Sequence, residues 1–262
     1  LITISAANRG DLYLVGLKDA KTDKEVERVW YRNTPEIRTR WRYPLVAQIS
    51  SKSLIKLEPT AMVVIGTKYK NRFNKFGLVD SPKNELSENN IFNANRFSGI
   101  DFHDHGKRLS YGINSSLMSD KLYLDAFLGQ LIHKNNVSQK GNSEYVGNIR
   151  IDFADNFDLF YRFRRDQNLK PILNEVGAVA SIKKFSANVM FTELHNISRY
   201  FFREDIQPET NKTSQVSLDM NYQLTDQLLI GASSKLDISL KKTRMLTRTI
   251  RMTYLFDRVS IN

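Results

Sequence analysis

Strict alternation of apolar and polar residues is the feature that most constrains how this chain folds. From Val216 to Leu224 every second residue is apolar, and the residues between them are polar. The same period of two recurs in residues 36–43, 157–164, 185–192 and 249–257. Successive side chains of a β-strand point to opposite faces, so the pattern predicts strands with one apolar face, and helical spacing fits none of these segments.

The connections between the predicted strands alternate between short polar turns and long loops. We predict short turns near residues 51–52, 119–120, 155–156, 183–184 and 225–226, and long connections over residues 16–34, 67–95, 134–143, 166–171, 196–211 and 239–244. The pattern is typical of an all-β fold, an antiparallel transmembrane outer-membrane β-barrel, with about twelve strands in this chain. In such barrels the long loops are extracellular and the short turns are periplasmic, so we expect this orientation in the bacterial outer membrane.

A soluble β-sandwich is the alternative fold, because its strands also bury one apolar face. Many of the predicted strands have about ten to fourteen residues, which is longer than in most soluble sheets and favours the barrel. No segment approaches the roughly eighteen uninterrupted apolar residues of a membrane helix. The chain starts at Leu1 without a signal-peptide pattern, and we therefore expect residues 1–262 to be the C-terminal portion of a larger barrel.

Composition and net charge limit the kinds of site and partner that this chain can have. The chain has no cysteine, which excludes disulfides and thiolate metal sites, and its net charge of +11 suits nucleic acid, an anionic membrane surface or a phosphorylated glycolipid. No nucleophile-elbow, phosphate-loop or dinucleotide motif is present, and we expect no enzymatic activity, cofactor or metal. One cluster resembles a metal or acid-base site, but it falls in a long loop where we expect solvated polar residues. Its members are Asp101, His103, Asp104 and His105.

Arginines on the polar faces of two predicted strands are the candidate binding residues. They are Arg38, Arg40 and Arg42 on one strand and Arg162 and Arg164 on the other. An arginine at the bilayer midplane costs about 2 to 4 kcal/mol, so we expect these side chains to point into the barrel lumen. They could bind lipid phosphates through paired hydrogen bonds, or they could pair with lumenal carboxylates such as Glu58 and only keep the interior wet.

One segment resembles a known family. The residues that carry this resemblance are Arg96, Phe97, Ser98, Gly99, Ile100 and Asp101, followed by the Gly106–Gly112 strand. Together they resemble the most recognisable motif of the LPS-assembly protein LptD family. Residues 41–45, residues 57–59 and the closing strand at 254–257 are similar to further family segments, whereas the rest of the chain matches as strand pattern only.

The resemblance implies a barrel that inserts lipopolysaccharide into the outer leaflet. By the same resemblance, the partners are an LptE-like plug lipoprotein and the periplasmic Lpt bridge components, and an N-terminal periplasmic jellyroll and the first barrel strands lie outside this chain. Family members often carry cysteines that link the barrel to the periplasmic domain. This chain has none, so disulfide-controlled maturation is in doubt for it.

Two other classes share part of the pattern. A general diffusion porin or surface adhesin barrel has every strand feature and lacks only the motif at residues 96–101. A soluble basic β-protein could use aromatic residues between basic ones to stack on nucleic acid, although the resemblance implies no nucleic-acid partner. Pro44 and Pro59 cannot donate to a strand ladder, and we expect them to weaken pairing locally.

Overall fold

The chain folds into antiparallel β-strands. The computed structural model describes residues 1–18, 25–67, 85–96, 104, 106–134, 143–154, 156–195, 212–239 and 243–254. Its strands are β1 (Ile2–Lys18), β2 (Glu25–Arg42), β3 (Leu45–Ser50), β4 (Ser53–Gly66), β5 (Lys107–Met118), β6 (Leu122–Lys134), β7 (Glu144–Phe153), β8 (Phe157–Asp166), β9 (Pro171–Ile182), β10 (Phe185–His195), β11 (Lys212–Gln223), β12 (Leu228–Asp237) and β13 (Arg244–Tyr254). Over these residues, no helix combines the length and apolar character needed to cross a membrane. The predicted all-β antiparallel fold is confirmed.

Strand order follows the chain, apart from β3. The order runs from β1 to β2, then to β4 and onward to β13, while β3 pairs with β4 alone. β4 pairs with β2 from Arg42↔Thr60 onward and with β3 from Leu45↔Leu57 onward. The described residues therefore form thirteen strands rather than about twelve, because Tyr43 and Pro44 interrupt what we predicted as one strand. Pro44 has no N–H to donate, which accounts for the interruption.

Four of the five predicted short turns are confirmed, and the fifth includes Asp155, which lies outside the described residues. Strands β3 and β4 are separated by Ser51 and Lys52, and β9 and β10 by Lys183 and Lys184. Lys183 adopts a positive φ of 52°, a conformation that tight turns often need. The predicted long connection over residues 16–34 is wrong, since β1 extends to Lys18 and β2 starts at Glu25. Pairing between these strands continues to Lys18↔Glu25, so the ladder extends into residues whose composition suggested a loop.

The residues cluster into two compact units. The first contains residues 1–43, 59–112 and 130–143, and its buried apolar side chains include Met62 and Val64 of β4 with Leu86 and Ile91 of the segment after β4. The second contains residues 44–58, 113–129 and 144–262, and it buries Phe127, Val146, Ile172 and Leu173.

Burial is reversed relative to a protein that folds in water. In the first unit, Arg32, Thr34 and Glu36 of β2 are buried, whereas Tyr31 and Ile37 on the opposite face are 67% and 55% exposed. In the second unit, Arg164 is buried while the large apolar side chains of β8 to β11 are exposed; these include Leu159, Val176, Val189, Leu218 and Met220. The predicted alternation is therefore present, with its apolar face outward and its polar face sheltered.

Two glycines let aromatic rings lie flat across neighbouring strands. Gly147 of β7 pairs with Phe163 of β8, and Gly177 of β9 pairs with Phe160 of β8. A Cβ atom at either glycine would overlap the ring of its partner, and at Gly147 it would also come within 3.0 Å of the Phe127 carbonyl oxygen. The close approach of ring and backbone requires glycine at both positions.

We expect Gly147→Ala to lower the free energy of unfolding by about 1–3 kcal/mol, because the added methyl group must displace the Phe163 ring. Gly10→Ala in β1 is the matched control, since the nearest side-chain atoms to its added Cβ lie 3.6 Å away, in ordinary contact. Urea unfolding of the full-length protein in detergent measures both effects. Equal stability of the two variants would show that the ring does not depend on the glycine.

Candidate functional site

Asp104 is the centre of a buried ionic cluster in the first unit. Its Oδ2 atom lies 2.6 Å from Nε of Arg96 and also forms an ion pair with Arg108, the second residue of β5. The side chains of all three residues are at most 2% exposed. Nη2 of Arg96 lies 2.8 Å from Nε2 of His133 on β6. One carboxylate therefore joins two guanidinium groups that water does not reach.

The cluster binds residues 85–96, which we call the 85–96 segment, to the strands. Arg108 donates to the Ala94 carbonyl oxygen, and the backbone N–H of Asp104 donates to the Asn95 side chain at 3.0 Å. Within the segment, the Asn90 side chain accepts from the Ser87 N–H at 2.9 Å and donates to the Glu85 carbonyl oxygen at 2.6 Å. The 85–96 segment is held at one end by ion pairs and along its length by the burial of Leu86 and Ile91.

The surroundings of Asp104 shift its titration. Burial by itself would raise the pKa of Asp104, but the guanidinium groups of Arg108 and Arg96 outweigh burial and lower the pKa to about 2. Asp104 is therefore ionised at neutral pH, and its charge attracts both arginines. A carboxylate in this state is a structural anchor and not a proton donor near neutrality.

A concave groove lies beside this cluster, on the sheltered face of β1, β2 and β4. Arg38, Arg40 and Arg42 line it from β2, and its volume is about 450 Å³. Its remaining lining is Leu1, Thr3, Ser5, Met62, Phe92, Asn93, Ala94 and Asn95. The Arg40 guanidinium carbon lies 5.3 Å from the centre of the Phe92 ring, which is cation–π distance. We call this feature the β2 groove, and its charge makes it a candidate anion site.

Three of the other candidate arginines, Arg38, Arg162 and Arg164, have carboxylate partners. Arg38 pairs with Glu36 of its own strand. Arg162 donates from Nε to Glu175 at 2.6 Å, and Arg164 lies 3.8 Å from Glu144. These pairs match the alternative in which lumenal carboxylates neutralise the arginines, although Glu58 itself forms an ion pair with Lys56 at 2.8 Å. Contact of any of these arginines with lipid phosphate stays a prediction.

Sequence reasoning misjudged Asp104 and missed His133. We expected Asp104 to be a solvated loop residue, but both side chains are buried. The available signal was the spacing of Asp104 from Arg108, four residues later, at the start of a strand. The remaining motif residues, Phe97, Ser98, Gly99, Ile100 and Asp101, lie outside the described residues, as do His103 and His105. In the part of the chain that is described, no group of three or more His, Cys, Asp or Glu could hold a metal ion.

We expect Asp104→Asn to release the 85–96 segment, because the substitution leaves two guanidinium groups buried without their counter-ion, a change that costs about 3–5 kcal/mol. In the parent protein, the depressed pKa means that the stabilisation by Asp104 is complete above its ordinary value of 3.8 and is lost as the pH falls through about 2. The stability lost over that interval is about 2 kcal/mol.

Hydrogen exchange of the amides in residues 85–96 of the full-length protein, measured at neutral pH, tests the first expectation. Thermal unfolding between pH 4 and pH 2 tests the second, since the Asn variant should lose this part of the acid sensitivity. Asp120→Asn is the control, because Asp120 and its partner Lys52 are 54% and 72% exposed and contribute little. Unchanged protection of residues 85–96 in the Asp104 variant would refute the anchoring role.

The chain is similar to a known protein family and to a solved structure. None of the curated proteins matches the chain. A solved structure described as "Salmonella typhi OmpF complex with Daunomycin" is similar at 10% sequence identity with a TM-score of 0.33, over 98% of this chain and 86% of that chain. The family model described as "LptD: LPS transport system D" matches residues 1–228. With the match extending over most of its length, the chain belongs to the LptD family of the lipopolysaccharide transport system.

Proposed function

We propose that this chain is part of an outer-membrane translocon that inserts lipopolysaccharide into the outer leaflet. The observation that carries the proposal is the reversed burial of the strands, with apolar side chains outward and ion pairs on the sheltered face. Membership of the LptD family supports lipopolysaccharide as the transported molecule. The orientation that fits these features places the long loops outside the cell and the short turns in the periplasm.

In this proposal the charged head group and the acyl chains of the lipid take different routes. The sheltered polar face holds the charged head group, and the acyl chains leave sideways into the membrane. No covalent bond changes in this step, and energy is supplied by other components. An LptE-like plug lipoprotein and the periplasmic Lpt bridge are the proposed partners by family resemblance. Mass spectrometry of lipopolysaccharide before and after delivery tests the absence of covalent chemistry, which a change in mass would contradict.

The lipid-facing assignment predicts an unusual response to charge. Val176, in the middle of β9, is 49% exposed, and Val176→Arg would be nearly neutral in water. If the apolar face meets lipid, we expect the same substitution to destabilise the protein by about 2–4 kcal/mol. Leu169→Arg is the control, because Leu169 lies in the turn before β9 and is 65% exposed. Unfolding in lipid vesicles measures both variants, and equal small effects would count against membrane contact at Val176.

Depletion of the full-length protein tests the function itself. We expect newly made lipopolysaccharide to disappear from the cell surface and accumulate inside, because the insertion step is lost. Accessibility of lipopolysaccharide to an outer-leaflet modifying enzyme measures the change, with the restored parent gene as the control. Unchanged delivery combined with altered uptake of small solutes would instead favour a general diffusion porin.

A further inference from the structure

We propose that Arg40 forms the core of a phosphate-binding subsite in the β2 groove, assisted by Arg38 and by the hydroxyl groups of Thr3 and Ser5. The ligand is a phosphate group carried by a lipid head group. This assignment of the lipid rests on the proposed function, because a transported glycolipid would bring its phosphates past the sheltered face. The assignment of the groove as an anion site depends on its contacts and not on the proposed function.

Strand register brings the polar groups together. Arg40 pairs with Thr3 across the β1–β2 ladder, and Arg38 pairs with Ser5. Residues two apart on a strand share a face and lie about 7 Å apart, so the two cationic side chains border one groove with the two hydroxyls opposite them. Met62 of β4, which pairs with Arg40 on its other side, provides an apolar floor. The arrangement is a cationic wall and a hydroxyl wall around a space of about 450 Å³.

Arg40 differs in its partners from Arg32, Arg96 and Arg162. Arg32 is bound by Asp11 at 2.6 Å, Arg96 by Asp104 and Arg162 by Glu175. The Nε atom of Arg40 is buried and finds no hydrogen-bond acceptor among the described residues. The Phe92 ring lies 5.3 Å from the guanidinium carbon of this side chain. Among the described residues, the guanidinium group of Arg40 has no carboxylate partner, and an anion in the groove that Arg40 lines would balance its charge.

The donors favour phosphate over carboxylate. A guanidinium group presents its N–H donors in a planar fork that binds two oxygens of one anion. A carboxylate has two oxygens, whereas a phosphate monoester has three free ones and can accept from Arg40, Thr3 and Ser5 at once. The Phe92 ring then covers the apolar side of the guanidinium group and leaves its donor edge for the ligand. A phosphorylated lipid head group fits these donors.

Binding to the full-length protein in detergent micelles tests the subsite. The probes are lipid A with both phosphates, the same lipid A after removal of its phosphates, and inorganic phosphate. The variants are Arg40→Gln and the control Arg150→Gln, which removes the same charge from an arginine that is 54% exposed and paired with Asp152. We expect Arg40→Gln to weaken binding of phosphorylated lipid A about tenfold or more, the loss of one charge-assisted hydrogen-bond pair, and Arg150→Gln to leave it unchanged.

The outcomes separate the sources of phosphate. Arg40-dependent binding of phosphorylated lipid A, with dephosphorylated lipid A bound equally by parent and variant, supports the lipid subsite. Arg40-dependent binding of inorganic phosphate alone, with both lipids bound equally, overturns the lipid assignment and leaves a site for free phosphate. Equal binding of every probe by parent and Arg40→Gln overturns the subsite. If that variant does not fold, Ser5→Ala replaces it, and an unchanged affinity for both phosphorylated lipid A and inorganic phosphate then overturns the subsite.

Failure of the subsite and failure of the proposed function give different results. Lipopolysaccharide delivery that is lost on depletion, together with binding that ignores Arg40, would reject the subsite and keep the transport role. Normal delivery on depletion, together with Arg40-dependent binding of inorganic phosphate, would reject the transport role and keep the anion site.

Discussion

Neutralisation of charge on the sheltered face is the constraint on which the rest of this structure depends. The strands turn their apolar side chains outward, so the opposite face cannot be stabilised by an ordinary hydrophobic core. Arginines buried there carry a large desolvation cost unless a carboxylate lies within reach. The pair of Arg32 on β2 with Asp11 on β1 meets that requirement across neighbouring strands. Ion pairs of this kind make a net charge of +11 compatible with folding.

In the 85–96 segment, buried charges are neutralised by ion pairs in a connection between strands as well. A chain that leaves β4 and lies against a polar face cannot be held by apolar contacts alone, and Leu86 and Ile91 supply only part of the attachment. Asp104 supplies the rest because its single carboxylate satisfies Arg96 on the motif side and Arg108 at the start of β5. The residue that opens the recognisable family motif is thus bound to the strand that follows it. The motif begins with a structural contact, whatever its later residues do.

Period two was sufficient to predict the outward apolar face and most of the strands, because these depend only on local geometry, but it missed the strand residues at 16–18 and 25–34. It could not predict the partners of Arg162 or Arg164, since an ion pair across a sheet depends on register, and register follows from contacts between distant residues. Pro44 illustrates the boundary between the two. Its missing N–H was evident in the sequence, but only the pairing of β4 with both β2 and β3 shows that it divides one predicted strand into two. Burial of Asp104 could not be predicted either, because a polar residue in a long connection is solvated by default.

Arg40 is informative because the neutralisation rule holds so widely around it. If sheltered arginines served only to keep an interior wet, each would be expected to find a carboxylate, as Arg38 does in Glu36 on the same strand. At Arg40 the strand neighbours across the ladder are Thr3 and Met62, one with a hydroxyl donor and one apolar, and neither supplies an anion. The Phe92 ring holds the guanidinium group in place without neutralising it. A cation that is positioned by its surroundings and has no counter-ion among the described residues is a site prepared for an anion from outside, and this separates Arg40 from arginines such as Arg32 that maintain the fold.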